Sequence, residues 1–105
     1  MTTRVKWPKL PTVTHGAGGP IRVRLVKQPK GSDGALAWGT WEQSRRIIEI
    51  QRSAPPEHRH RIYYHECGHA MLDDAGLCHL LTSEGQEAFC DAYASSRMAE
   101  LRASI

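Results

Sequence analysis

The proline pair Pro55–Pro56 constrains this fold more than any other feature, because it separates a first half of short apolar runs from a second half of helical character. Ser53-Ala-Pro-Pro-Glu57 is a helix-entry signal, with Ser53 as a candidate N-cap and prolines that fit only a first turn. The residues before this point favour strands, and those after it favour two helices. The sequence therefore predicts an α+β domain in which the strands come first.

Three segments of the first half are predicted to be strands, because they are β-branched or alternate apolar with basic residues. They are residues 21–27, 35–41 and 45–50, and we expect them to form a small, antiparallel three-stranded sheet. Residues 1–20 hold three prolines and the run Gly16-Ala-Gly-Gly19. We therefore expect an extended or flexible N-terminal arm over residues 1–20 and one minimal domain over residues 21–105.

Two helices are predicted in the second half. The first runs from residue 56 to residue 75, where Gly76 ends it, and the second opens with the capping-box sequence Ser83-Glu-Gly-Gln86 and continues to residue 102. At 105 residues the chain has room for one core only. It contains no signal peptide and no apolar run long enough to cross a membrane, so the sequence favours a cytoplasmic protein with no membrane partner.

Charge is distributed unevenly along the chain. Residues 1–60 carry eleven Lys or Arg and four Asp or Glu, whereas residues 61–105 carry three and seven. The basic residues are spread singly and no nucleic-acid-binding motif is present, so solvation explains them better than a nucleic-acid surface. Three cysteines at irregular spacing indicate reduced thiols, and Cys67 and Cys90 are interpreted as small core residues.

The stretch Tyr63-Tyr-His-Glu-Cys-Gly-His69 lies inside the first predicted helix. His65 and His69 are four residues apart, so they lie on one helix face about 5.4 Å apart along the axis, where both imidazoles can reach one zinc ion. Glu66 lies at the rim of that face, close enough to contact a water held by the ion. This is the His-Glu-x-x-His pattern of zinc peptidases. Gly68 allows a neighbouring element to approach closely.

A catalytic zinc site needs a third protein ligand. The metzincin extension is excluded because position 75 is Ala75, and Asp73 reaches the ion poorly. The second helix offers Glu87 and, one turn later, Asp91. One of these carboxylates would bind the ion, and the other would accept the outer N–H of a ligand histidine.

His65-Glu-Cys-Gly-His69 followed by Glu87-x-x-x-Asp91 resembles the gluzincin metallopeptidases. The size and element order are similar to those of the minigluzincins and of the ImmA/IrrE-type metallopeptidase core found in prophages and mobile elements. The resemblance covers about residues 36 to 98. It implies a zincin-like domain in which His65, His69 and Glu87 bind Zn²⁺, Glu66 is the general base and acid, and Asp91 supports a ligand histidine.

The sequence thus predicts a zinc-dependent endopeptidase that hydrolyses peptide bonds in a peptide or protein substrate. The alternative is a catalytically idle zinc-binding domain that acts through a partner protein. Retention of Glu66 favours the enzyme, because a structural zinc site gains nothing from this carboxylate.

Trp38 and Trp41 are three apart in a predicted strand, so we expect one to be buried and the other exposed.

Overall fold

The computed structural model describes residues 6–30 and 37–105, and it has two layers, a four-stranded sheet and a pair of helices. The strands are β1 (Val13–Gly16), β2 (Gly19–Val26), β3 (Gly39–Glu42) and β4 (Ile47–Gln51). The helices are α1 (Pro56–Asp74) and α2 (Ser83–Ser104), joined by a connector that contains a short 3-10 helix (Cys78–Leu80). The α+β class is confirmed. Among the described residues, no helix is long and apolar enough to cross a membrane.

The sheet differs from the predicted one in strand number and direction. Its order is β1-β2-β4-β3, with antiparallel pairing at both edges and parallel pairing between β2 and β4. The prediction of three antiparallel strands is therefore wrong. Alternating residues identified β2 and β4 as strands, but alternation does not specify which strands pair. Residues 31–36, which include the start of the second predicted strand, lie outside the described part of the chain.

The additional strand comes from the segment predicted to be an arm. Residues 13–16 pair with residues 19–22, and Gly19 adopts a φ of +122° in the turn between them. The glycine run is thus the turn of a hairpin, because a residue without Cβ tolerates a positive φ. The expectation of no regular structure is wrong for residues 13–20, and residues 1–5 lie outside the described chain.

Both helices follow their predicted bounds closely, but their caps differ. α1 begins directly after Pro55 and has no side-chain cap, so Ser53 does not cap it. Gly76 follows the end of α1 with a φ of +70°, as expected for a residue that stops a helix. The N-cap of α2 is Thr82 rather than Ser83, since the Gly85 N–H donates to the Thr82 hydroxyl over 3.0 Å.

The core forms where α1 crosses the inner face of the sheet. Ile48 and Ile50 of the central strand β4 are fully buried, and they pack with β2 residues and with Ile62 and Ala70 of α1. Burying such side chains stabilises the fold by roughly 1.5–3 kcal/mol each. This packing holds one side of α1 against the sheet, and α2 packs along another side. The remaining faces of α1 are therefore free to line grooves.

An ion pair fastens the β1–β2 turn to the end of α1. Arg46, in the loop before β4, donates to both Asp74 oxygens over 2.8 and 2.9 Å, and the Gly18 N–H donates to Asp74 over 3.0 Å. Arg46 itself has a φ of +52°, which is uncommon for a residue with a side chain. The hydrogen bond from Arg46 lowers the pKa of the Asp74 carboxyl. This network fixes the edge strand β1 to the helix layer.

Candidate metal centre

The two histidines of α1 lie together on the side of the helix that faces α2. Their ring centroids are 5.1 Å apart with the planes at 70°, and each side chain is about one fifth exposed (20% and 21%). Helical periodicity accounts for this pairing, because residues four apart stand one above the other. The imidazoles of His65 and His69 are thus accessible to an ion and are held by a helix that is packed against the sheet.

Glu87 of α2 bridges the two histidines. One carboxylate oxygen lies 3.0 Å from Nε2 of His65, and the other lies 3.0 Å from Nε2 of His69. Two donors that each lie 2.0–2.1 Å from a tetrahedral ion are about 3.3 Å apart, so shifts of a few tenths of an ångström would admit zinc. The second helix therefore brings a carboxylate to the position at which the sequence predicted a third ligand.

Asp91 contacts the opposite edge of the His65 ring. Its Oδ1 lies 2.9 Å from Nδ1 of His65, while Glu87 faces Nε2 of the same ring. A neutral imidazole has a single N–H, so it cannot donate to both carboxylates. An imidazole held by one carboxylate and presented to a second is the arrangement that metal-binding histidines adopt.

Glu66 lies beneath the edge strand β3. It is 8% exposed, and burial raises the pKa of its carboxyl to about 7; the charge of His65 opposes this shift and that of Glu87 adds to it. Gly39 of β3 makes room for Ile62, since a Cβ at Gly39 would clash with Ile62 Cγ2, and Glu66 Cγ lies at ordinary contact distance, 3.5 Å, from the same point. A divalent cation at the histidines would favour the ionised form of Glu66.

The described residues contain two groups whose ligand atoms all lie within 4.8 Å of one another: His65, His69 and Cys90, and His65, Glu87 and Asp91. The sequence interpretation placed Cys90 in the core. Cys90 is indeed fully buried, and burial raises the pKa of its thiol to about 12. The spacing nevertheless indicates that Cys90 lies near the histidines, because Cys90 follows Glu87 by three residues and so shares a side of α2 with Glu87.

The helices α1 and α2 approach each other closely at Gly68. A Cβ at Gly68 would lie 3.0 Å from Cys90 Sγ and 3.1 Å from Cys90 Cα. The expectation that Gly68 permits close approach of another element is confirmed, and the element is α2. This contact limits how closely α2 approaches the histidines. It therefore also positions Glu87 and Asp91, which flank Cys90 on the same helix.

Other polar residues considered in the sequence have different roles. Asp73 accepts from the Trp41 indole N–H over 2.5 Å and from the Cys78 thiol over 2.6 Å, so its carboxylate joins β3 and the connector to α1. Trp38 is exposed, as expected for one of the two rings, but Trp41 is only half-buried and packs at the margin of the core, so the expectation that the other ring is buried is met only in part. All three cysteines are free thiols, as predicted.

No family model, curated protein or solved structure gives a significant match to this chain. A functional assignment therefore depends on the geometry of the side chains around His65, which are His69, Glu87, Cys90 and Asp91.

Proposed function

We propose that this chain is a minimal gluzincin-type zinc peptidase that hydrolyses peptide bonds of a peptide or protein substrate. The single observation that carries the proposal is the placement of His65, which has Asp91 at one ring nitrogen and Glu87 at the other, with His69 on the second Glu87 oxygen. Two helices that are separate in sequence converge on one small volume.

In this proposal His65, His69 and Glu87 hold the zinc ion. Zinc bound there would lower the pKa of a coordinated water and polarise the carbonyl of the scissile bond. Asp91 accepts the Nδ1 proton of His65, which leaves Nε2 as the lone-pair donor and keeps the ring in one orientation. The donor set of two imidazoles and one carboxylate is one that catalytic zinc sites use.

Glu66 moves the proton in the proposed reaction. Its carboxylate oxygen accepts a proton from the attacking water and then donates it to the nitrogen of the leaving amine. Burial beneath β3 supports this role, because desolvation raises the affinity of a carboxylate for a proton. The packing of Glu66 against Gly39 holds its stem at the sheet side of the groove.

The substrate would lie along β3. Within residues 6–30 and 37–105 this strand is at one edge of the sheet and pairs only with β4, so its other side can accept an extended peptide by strand addition. Gly39 lies above Glu66, and Trp38, which is 55% exposed, precedes it. A peptide paired with this edge would pass over the side of α1 that carries the motif.

A catalytically idle metal-binding domain is the second candidate. The observation that favours it is Cys90, because a thiol beside two histidines can add a further donor and close the coordination sphere. Under this alternative the chain would act by binding a partner protein. The two candidates differ in whether Glu66 has any measurable effect on a peptide substrate.

The deciding experiment is Glu66→Gln measured beside Glu84→Gln, an exposed glutamate in the first turn of α2. Glu66→Gln should keep zinc bound while hydrolysis of an unfolded protein substrate falls by at least about a hundredfold. Glu84→Gln should leave both properties unchanged. Equal hydrolysis by wild type and Glu66→Gln would refute the mechanism, and a zinc-loaded wild type that cleaves nothing would favour the idle domain.

A further inference from the structure

Cys90 has an environment that core packing alone does not account for. Its side chain is fully buried between the helices, yet its sulfur lies within 4.8 Å of a ring nitrogen of His65 and of His69. The carboxylates of Glu66 and Glu87 are close enough to influence the thiol electrostatically. A cysteine that only fills a core position needs no polar neighbours, whereas the Cys90 sulfur lies near two nitrogen donors.

The histidines consequently have two possible third donors that differ in burial. Glu87 reaches them from the exposed side, with its own side chain 56% exposed, and Cys90 reaches them from the buried helix interface. These donors differ in chemistry, because carboxylate oxygen suits hard ions and thiolate sulfur suits soft ones. The choice of donor can therefore depend on the ion.

We propose that Cys90 is a direct metal donor of this site, and that soft divalent ions are held by His65, His69 and the Cys90 thiolate. On binding, the S–H bond breaks, its proton leaves to solvent, and the sulfur lone pair forms the metal–sulfur bond, as occurs for coordinating thiols in general. Three protein donors leave a further position for water or for Glu87. The inference rests on the same metal centre as the proposed function, but not on its hydrolytic chemistry.

Cadmium provides the probe, because cadmium–thiolate bonds give a near-ultraviolet charge-transfer absorption that oxygen and nitrogen ligands do not give. Wild type titrated with Cd²⁺ should develop this absorption to one equivalent. Cys90→Ser, which keeps the size of the side chain, should lose the absorption and bind Cd²⁺ at least tenfold more weakly. Its affinity for the hard ion Mn²⁺ should change by less than threefold. Cys67→Ser, a half-buried thiol of α1, is the matched control and should keep the band.

Thermal unfolding of the metal-free variants shows whether each is folded, and Cys90→Ala provides a second replacement without a polar atom. Absence of the band in Cd²⁺-saturated wild type, or its persistence in both folded Cys90 variants, would overturn the proposal. Peptide hydrolysis with Zn²⁺ is measured on the same preparations. Cleavage without a thiolate band refutes only the Cys90 ligation, and a band without cleavage refutes only the peptidase.

Discussion

Replacing Gly68 by alanine tests whether one helix contact sets the geometry of the metal centre. The new Cβ would lie 3.1 Å from Cys90 Cα, where ordinary contacts are 3.4–4 Å. A backbone atom cannot rotate away, so α2 must move by about 0.3 Å for this contact to reach the ordinary range. Glu87 and Asp91 lie on the same rigid helix, so their contacts with the histidines would change together, and the 2.9 Å contact by which Asp91 holds the His65 ring would lengthen by a similar amount.

Two opposing terms determine the stability of Gly68→Ala. Alanine is favoured over glycine within a helix by about 0.8–1.0 kcal/mol. Overpacking a close contact costs about 1–3 kcal/mol. We therefore expect the metal-free variant to be less stable than wild type by about 0 to 2 kcal/mol. Zinc affinity should fall further, by roughly tenfold or more, since supporting changes around metal ligands cost about 10 to 100-fold.

Zinc affinity would be measured by competition with a chelator, and stability by urea unfolding of the metal-free proteins. Gly85→Ala is the matched control, because it makes the same replacement in the first turn of α2, where the nearest atom to the new Cβ is the Thr82 hydroxyl at 3.3 Å. The control should change zinc affinity by less than threefold. A Gly68→Ala variant that is more stable than wild type and binds zinc equally well would show that this contact does not position Glu87.

Two further predictions concern the carboxylates. Glu87→Ala should lower zinc affinity more than Asp91→Asn, which keeps an acceptor for the histidine and should cost about 10 to 100-fold; the reverse order in chelator competition would exchange their roles. Asp74 has a lowered folded-state pKa, so its contribution to stability is complete above the ordinary aspartate value of about 4 and is lost as the pH falls through the lowered value. Urea unfolding between about pH 5 and 2 should therefore show a steeper loss of stability in wild type than in Asp74→Asn, and parallel pH profiles would contradict this reasoning.

The parts of the structure that sequence could predict are those encoded locally. α1 could be delimited because a proline pair precedes it and Gly76 follows it, and both signals act within a few residues. The meeting of His65 with His69 follows from helical periodicity alone. Glu87 and Asp91 reach the histidines only because α2 packs against α1 at one particular position along its length. Gly68 was the only residue in the motif that indicated such a contact.

The parts that sequence missed depend on pairing between distant segments. β1 was overlooked because prolines flank it: Pro11 precedes it, and Pro20 follows at the start of β2, where a strand tolerates a proline. The parallel pairing of β2 with β4 could not be predicted, since β4 enters between two strands and nothing in its own residues specifies a neighbour. Cys90 was assigned by residue type, and its proximity to the histidines depends on the rotation of α2 about its axis.

The proposed metal centre belongs entirely to the helical hairpin formed by residues 56–104, whereas the sheet contributes a wall beside it. All of its side chains lie between residues 65 and 91, so the chain segment that must close around an ion is short and its closure entropy is small. An ion can therefore join α1 to α2 before the non-local β2–β4 pairing is complete. In the folded protein, bound metal should slow amide exchange in the helices much more than in β1, whose opening does not require the ion to leave.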